Sequence, residues 1–200
     1  MNVLSSTFAK WYDFFMSPLE QSKFRRIRKE LLSNAKGKVL ELGSGTGVNF
    51  PLYTNADKVF AIEPNQHMID QSKSKCKLAT VPIEMINASA ESLPFEDNSF
   101  DTVVATLVFC TIPNVDKAIN EIKRVCKPNG KILLFEHVKM ENTVLSVMQE
   151  RFTPLWKKVC DGCCLDRETL KAFTTHGLEI VKFNQFYKDL FIVAELKNKS

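Results

Sequence analysis

The sequence lacks an apolar run of the roughly 20 residues that a membrane-spanning helix needs. Its beginning also lacks the pattern of a secretory signal, because charged and polar residues interrupt it from Lys10 onward. The sequence also lacks a large excess of charge of one sign. Its net charge is only +4, which gives no reason to expect a nucleic-acid partner. The composition is otherwise that of a globular protein, with 44% apolar and 25% charged residues. We therefore expect a single cytoplasmic domain over residues 1–200.

The six cysteines lack the spacing of a metal site or a disulfide framework. In a chain of this length without a secretory signal, reduced thiols are expected. The stretch Cys160-x-x-Cys163-Cys164 could supply half of a zinc site, but no second pair of Cys or His residues stands at a matching spacing. The sequence therefore predicts no metal.

Basic residues are dense in one segment, Lys23–Lys29 (KFRRIRK). On a helix, Phe24, Ile27 and Leu31 share one face and the basic side chains lie elsewhere. We favour the interpretation that these charges are the solvated back of a helix. The alternative is peripheral contact with an anionic membrane surface.

Short apolar runs alternate with helical stripes along the chain, which predicts a doubly wound, mostly parallel α/β sheet. Strands are predicted at 38–42, 58–62, 83–87, 100–109 and 131–138, and helices at 5–34, 65–77, 115–126, 141–159 and 167–176. Two last strands, 179–186 and 190–196, are joined by three residues, which permits only an antiparallel pair. The sheet thus has seven strands. We divide the chain into an N-terminal helical cap (1–34), a core (35–138), a helical cap insertion (139–178) and a terminal hairpin (179–200).

Three of the seven glycines fall in Val39–Gly47 (VLELGSGTG), directly after the first strand. The spacing is G-x-G-x-G, which matches neither the pyrophosphate fingerprint nor a P-loop. Glu41 would repel a phosphate and attract an ammonium group. Glu63 ends the next strand, where a carboxylate accepts hydrogen bonds from both ribose hydroxyls. A ligand with a ribose and an amine but no phosphate is required, and S-adenosylmethionine meets that description.

Four stretches resemble, in the correct order, the motifs of class I S-adenosylmethionine-dependent methyltransferases: VLELGSGTG, VFAIEPN, ASAESLPFEDNSFDTVVATLVF and VCKPNGKILLFEH. The resemblance spans residues 38–138 and is to the ubiquinone/menaquinone-biosynthesis type. FEHV followed by LWKKVCDGCCLDRETLKAF is similar to the group that contains alkyl-thiol and phospholipid methyltransferases. This resemblance implies a Rossmann-like methyltransferase fold, with S-adenosylmethionine as cofactor and S-adenosylhomocysteine as product.

The resemblance also implies a set of cofactor-binding residues. They are Tyr12, Glu41, Gly43, Gly45, Gly47, Glu63, Pro64, Ser89, Ala90, Glu91, Thr106 and Leu107. In that set the glycines shape the loop, Glu41 faces the methionine amino group and Glu63 binds the ribose. The Ser89–Glu91 backbone meets the adenine, Thr106 and Leu107 meet the methionine part, and Tyr12 covers the cofactor. The alternatives are that the two glutamates are solvated strand-end acids, that Ser89 caps a turn and that Tyr12 packs in a helix.

For catalysis, His137 is the candidate base, because it ends the fifth strand and has a near-neutral pKa. Equally, it could bond to backbone at the strand end. Asp161 could orient the acceptor or take its proton, or could belong to a buried turn. Cys110 either lines the acceptor pocket or packs. We expect His67 to be a surface residue or to line the cofactor site, and His176 to be structural.

Aromatic residues concentrate in the two predicted cap segments, namely Phe8, Trp11, Phe14, Phe15, Phe152 and Trp156. They favour a small hydrophobic acceptor, although core packing explains them almost as well. We therefore expect S-methylation of a thiol, ahead of phospholipid N-methylation and quinone C-methylation. A non-catalytic S-adenosylmethionine-binding protein and a nicotinamide oxidoreductase are the alternatives from other classes.

Overall fold

The computed structural model describes residues 23–160 and 162–199. Residues 5–22 of the helix predicted at 5–34 lie outside this range, and so do Tyr12, the other aromatic residues before Lys23, and Asp161. The helices are α1 (Arg25–Leu32), α2 (Gln66–Cys76), α3 (Val115–Val125), α4 (Thr143–Val159) and α5 (Thr169–Thr175). The strands are β1 (Gly37–Leu42), β2 (Ala56–Ile62), β3 (Ile83–Ile86), β4 (Phe100–Thr106), β5 (Cys126–His137), β6 (Glu179–Phe186) and β7 (Phe191–Lys197). A short 3₁₀ helix covers Phe50–Leu52.

The seven strands form one sheet in the order β3-β2-β1-β4-β5-β7-β6. Strands β1 to β5 are parallel, and β7 runs antiparallel to both β5 and β6. This confirms the doubly wound fold and the terminal antiparallel pair. The strand order reverses between β1 and β4. In open α/β sheets, ligands bind outside the carboxyl ends of the strands at such a reversal.

The central strand β4 is shorter than the sequence predicts. Val103, Val104 and Ala105 are fully buried between β1 and β5, as a central parallel strand requires. The predicted strand continued to Phe109, but β4 ends at Thr106 because Leu107 adopts a left-handed conformation with φ +54°. The apolar run therefore leaves the sheet at the edge where ligands bind.

The start of α3 agrees with the predicted helix at 115–126, and that of β5 does not agree with the predicted strand. Asn114 caps α3, and its side chain accepts a hydrogen bond from the Lys117 N–H at 3.0 Å. Strand β5 begins at Cys126 rather than at residue 131, and its register with β4 jumps from Cys126 to Lys131. The residues between the predicted helix and the predicted strand thus form a bulge within β5, with Asn129 at φ +65°. Helix α4 continues through Pro154.

Two apolar layers cover the sheet. One contains Leu40, Ile119 and Phe173, and the other contains Phe24 and Phe135. Phe24 brings α1 onto the sheet through edge-to-face contacts, 5.2 Å from Phe135 and 5.0 Å from Phe191 between ring centroids.

The prediction that the charges of KFRRIRK are solvated is wrong for Arg28, which is 3% exposed. Arg28 stands four residues after Phe24, so helical periodicity places both on the buried face. The guanidinium tolerates this position because Asn49, in the loop after β1, and Thr106, at the end of β4, accept its hydrogen bonds.

The terminal hairpin turns through Tyr187, Lys188 and Asp189, which all have positive φ (54°, 55° and 68°). Strand β6 is an outer strand of the sheet, and nearly all of its side chains are exposed. Among the described residues, no helix combines the length and the apolar character needed to cross a bilayer.

Candidate active site

The glycine loop after β1 lies against the end of β2, and Glu63 joins the two. The Gly45 N–H donates to Glu63 Oε2 at 3.0 Å, and the Asn65 N–H donates to Glu63 Oε1 at 3.0 Å. The Ser44 N–H also donates to the Ile62 carbonyl at 3.0 Å. The glycine loop and the Glu63 carboxylate, which were predicted to bind the same ligand, therefore lie side by side. Pro64 follows Glu63 and is exposed.

Two of the loop glycines have different reasons to be glycine. A Cβ on Gly43 would collide with the Val108 side chain, so this position is set by packing inside the protein. A Cβ on Gly45 would meet only the Met68 sulfur, at 3.9 Å, although Gly45 has φ +53°. Gly45 thus faces open space beside the Glu63 carboxylate. A ligand can approach the backbone here without meeting a side chain. Beside it lies a strand-end carboxylate of the kind that binds ribose hydroxyls, and S-adenosylmethionine fits both features.

Glu41 lies under the loop in a buried polar network. Its Oε1 accepts from Asn49 Nδ2 and its Oε2 accepts from the Tyr53 hydroxyl, both at 2.9 Å. Glu41 is 1% exposed and Glu63 is 7% exposed, so neither is a solvated strand-end acid. Burial raises the pKa of Glu41 to about 7, against the opposing effect of the hydrogen bonds from Asn49 and Tyr53.

Arg28 completes this network and was not identified from the sequence. Its Nη1 donates to Asn49 Oδ1 at 3.0 Å and to Thr106 Oγ1 at 2.6 Å. A cation thereby reaches Thr106 at the end of β4, where the family resemblance places the methionine part of the cofactor. The i, i+4 spacing from Phe24 was the signal that could have found it.

The chain after β4 is held in a strained turn. Leu107 is not a glycine but has φ +54°, and its N–H donates to the Phe135 carbonyl at 2.7 Å. The next two N–H groups, of Val108 and Phe109, donate to Glu136 Oε1 at 3.0 and 3.2 Å. Glu136 is fully buried, and burial raises its pKa to about 7. Such strain persists where surrounding contacts enforce it, as Glu136 does here.

The third predicted segment, Ser89–Glu91, forms a capped turn at the same edge. Ser89 Oγ accepts from the Glu91 N–H at 3.2 Å, as the turn-capping alternative proposed. Glu91 Oε1 accepts from the Asn114 N–H at 2.7 Å, which ties the turn to the start of α3. Ala90 between them is 8% exposed. The segment is thus fixed in place beside the end of β3.

His137, at the carboxyl end of β5, contacts a thiol rather than the backbone. Its Nε2 lies 3.3 Å from Cys163 Sγ, and among the described residues its buried Nδ1 has no hydrogen-bond partner. Burial opposes the charge on His137, but the Cys163 thiol outweighs it and raises the pKa of the imidazole. Hydrogen bonds from Cys110, Cys160 and His137 hold the pKa of Cys163 far below its usual range. Cys110, after β4, and Cys160 pack in the same cluster, with Trp156 against it.

The other two histidines lie away from this cluster. His67 stands at the exposed start of α2, 2.7 Å from the Gln71 amide. His176 Nδ1 lies 2.8 Å from the Ala172 carbonyl, at the end of α5.

Comparison with known proteins agrees with this geometry. The profile of the methyltransferase domain family matches residues 40–134. Thiol S-methyltransferase TMT1B of Homo sapiens is 33% identical over 168 residues, which cover 78% of this chain and 69% of that protein. A phosphatidylethanolamine N-methyltransferase of Cereibacter sphaeroides is 29% identical over 155 residues and 75% of each chain.

A solved structure supports the fold. The S-adenosylmethionine-dependent methyltransferase from Mesorhizobium loti superposes with a TM-score of 0.67 at 13% identity, over 86% of this chain and 96% of that one. The glycine loop beside a strand-end acid, the seven-stranded sheet with its terminal antiparallel pair, and these relatives agree: the chain belongs to the class I S-adenosylmethionine-dependent methyltransferases.

Proposed function

We propose that this methyltransferase transfers the methyl group to the sulfur of a small apolar thiol. The observation that carries the proposal is the position of His137, at the carboxyl end of β5. The glycine loop and Glu63 occupy the same edge of the sheet, at the ends of β1 and β2. The identity to a thiol S-methyltransferase over most of both chains supports the same acceptor.

S-adenosylmethionine brings a methyl group that its sulfonium sulfur already activates. The residues of this chain have to hold the acceptor sulfur in line and deal with its proton, and such positioning lowers a barrier by up to ~7–11 kcal/mol. A thiol with a pKa of about 8.5 is mostly protonated at neutral pH. We propose that His137 acts on that proton, and Asp161 stays a candidate from the sequence for the same role.

The acceptor thiol gives up its proton and its sulfur forms a bond to the methyl carbon. The bond between that carbon and the sulfonium breaks, and its electron pair stays on the departing sulfur. The products are a thioether, S-adenosylhomocysteine and a proton. Thr106 and Leu107 are proposed to hold the methionine part, with Glu41 supporting the loop beneath it, and Glu63 and Ser89–Glu91 are proposed to hold the adenosine.

A phospholipid amine is the second candidate acceptor, favoured by the phosphatidylethanolamine N-methyltransferase relative. Helix α4 supports contact with lipid, because large apolar side chains along it are exposed. They are Val144 (69%), Met148 (47%), Phe152 (55%) and Leu155 (64%). The exposed basic residues Arg25, Arg26 and Lys29 of α1 suit an anionic membrane surface.

The test is a product assay in which formation of S-adenosylhomocysteine is measured with an alkyl thiol, phosphatidylethanolamine vesicles and a quinol in parallel. We expect turnover with the thiol, and a large loss of turnover with unchanged S-adenosylhomocysteine affinity in His137→Ala. His67→Ala is the matched control and should keep the wild-type rate. Methylation of the lipid alone or of the quinol alone would refute the thiol proposal.

A further inference from the structure

Three side chains that no sequence spacing connects converge at the end of the sheet. Cys110 follows β4, His137 ends β5 and Cys163 lies in the loop after α4. Their ligand atoms all lie within 4.8 Å of one another, and His137 Nε2 and Cys163 Sγ are 3.3 Å apart. Cys110 and Cys163 are 4% and 7% exposed. Two buried thiols and an imidazole therefore point into one small volume.

These separations suit a tetrahedral metal site. With zinc–sulfur bonds of about 2.3 Å and zinc–nitrogen bonds of about 2.0–2.1 Å, neighbouring ligand atoms lie roughly 3.6–3.8 Å apart. The 3.3 Å contact and the 4.8 Å limit bracket that distance, so side-chain shifts of a few tenths of an ångström to one ångström complete the geometry. Thiolate and imidazole ligands select zinc and similar soft cations over magnesium or calcium.

The backbone around the cluster is already fixed in place. The Cys164 N–H donates to the Cys110 carbonyl at 2.9 Å, which ties the two cysteine-bearing segments together. The Cys163 N–H donates to the Cys160 carbonyl at 2.8 Å. Glu136, next to His137, fixes the turn that leads from β4 to Cys110. A site held this way needs little reorganisation to bind a cation.

We propose that Cys110, His137 and Cys163 bind one divalent cation of the zinc class, with a fourth position open to the sulfur of the acceptor. Cys160 packs beside Cys163 but is not among the three ligand atoms that lie mutually within reach. Three protein ligands with an open fourth position are typical of catalytic zinc sites. The open position rests on the proposed thiol acceptor. There the cation would favour the deprotonated, thiolate form of the acceptor, its proton would pass to solvent, and His137 would act as a ligand.

The experiment measures metal binding directly, without turnover. Reduced, chelator-treated protein is titrated with Co²⁺ and then with Zn²⁺. We expect one Co²⁺ per chain, with thiolate-to-cobalt charge-transfer absorption and the visible bands of a tetrahedral ion, displaced by one Zn²⁺. Cys110→Ser, Cys163→Ser and His137→Gln should each lower the affinity at least ~100-fold, because each removes a ligand.

Cys164→Ser is the matched control, since it changes the adjacent thiol, whose sulfur instead contacts the Gly162 carbonyl at 3.7 Å. It should bind Co²⁺ as the wild type does. Circular dichroism establishes that each variant is folded, and the wild-type spectrum alone tests the site if a variant is not. Reduced wild-type protein that binds no Co²⁺ would overturn the proposal. So would equal losses in Cys163→Ser and Cys164→Ser, or a Cys110–Cys163 disulfide in protein that binds no metal.

Addition of an alkyl thiol to the Co²⁺ protein separates this inference from the proposed function. A shift of the charge-transfer bands supports the open position. An unchanged spectrum together with thiol turnover would refute the open position and leave thiol methylation standing. Stoichiometric metal binding without methylation of any thiol would refute the proposed acceptor and leave the metal site standing.

Discussion

At the scale of single residues, two strand-end glutamates differ in what surrounds them. Glu63 accepts two backbone N–H groups beside the open space at Gly45, whereas Glu41 accepts two side-chain donors beneath the loop. The first position suits contact with a ligand. The second suits support of the loop from below. The difference gives each residue its own expected behaviour.

Glu63→Ala should weaken S-adenosylhomocysteine binding by about 2 kcal/mol, because it removes charge-assisted ribose hydrogen bonds. That is a loss of roughly 30-fold in affinity, measurable by calorimetric titration. Glu84→Ala is the control, since it removes an exposed carboxylate from the neighbouring strand β3. Unchanged affinity in Glu63→Ala would show that the ribose does not bind at the end of β2.

Glu41 should make the protein less stable as the pH rises. Below pH 4.5 the carboxyl is protonated in the folded and the unfolded chain, and between 4.5 and about 7 only the folded chain keeps the proton. The free energy of unfolding therefore falls through this window, by on the order of 3 kcal/mol, and levels off above about pH 7. Urea unfolding at pH 5 and pH 8 should show a smaller difference in Glu41→Gln than in the wild type. The same difference in both proteins would contradict the role of Glu41.

At the scale of elements, α4 is joined to the sheet and to the cysteine loop through one buried amide. Gln149 Oε1 accepts from the Met140 N–H at 2.8 Å, and Nε2 donates to the carbonyls of Val138 at 3.1 Å and Leu165 at 2.9 Å. The segment that carries Cys163 is thereby anchored to the end of β5.

Gln149→Leu should lower the free energy of unfolding by about 2–3 kcal/mol, because it leaves buried backbone groups without partners. Glu150→Gln is the control, as Glu150 forms a half-exposed ion pair with Lys139 and should change stability by less than about 1 kcal/mol. Urea unfolding at pH 7 measures both. Equal effects would show that the amide does not anchor the helix.

The order and type of elements were predictable because each rests on a local pattern. The apolar runs indicated the parallel core, the helical stripe at 115–126 indicated α3, and a three-residue connection indicated the terminal pair. The end of β4 was not predictable from the apolar run itself. It is set by Leu107 and by Glu136 from another strand. The burial of Arg28 was not predicted, because a charged side chain is normally expected at the surface. Its position four residues after Phe24 indicates the buried face of the helix.

At the scale of the whole molecule, cofactor binding should be visible as thermal stability. A ligand at 100 times its dissociation constant adds about 2.7 kcal/mol to a protein that binds it only when folded. For a chain of this size, that raises the melting temperature by roughly 5–10 °C. S-adenosylhomocysteine should produce this shift and NAD⁺ should not. An equal shift with both, or none with either, would contradict the assignment of the loop.

The glycine loop and Glu63 could be placed from sequence because a doubly wound sheet brings the carboxyl ends of its strands to one edge. The cysteine and histidine cluster could not, since His137 and Cys163 are 26 residues apart and meet only through packing of the segment after α4. Metal ligands can be predicted from sequence where they recur at short spacings, and Cys110, His137 and Cys163 do not. A cluster whose residues meet only in the tertiary structure has no characteristic spacing in the sequence.

The outer strand β6 has a consequence for how the protein behaves in concentrated solution. Within residues 23–160 and 162–199 it pairs with β7 on one side only, and Val181 and Phe183 on it are 58% and 37% exposed. A free, partly apolar edge is a template for pairing with the same strand of another molecule, which is the usual first step of aggregation. Lys182 and Glu179 place charges on that edge and oppose such pairing. Three strands, β4, β5 and β7, separate β6 from β1 and its glycine loop, so we expect additional charges on β6 to improve solubility without disturbing the site.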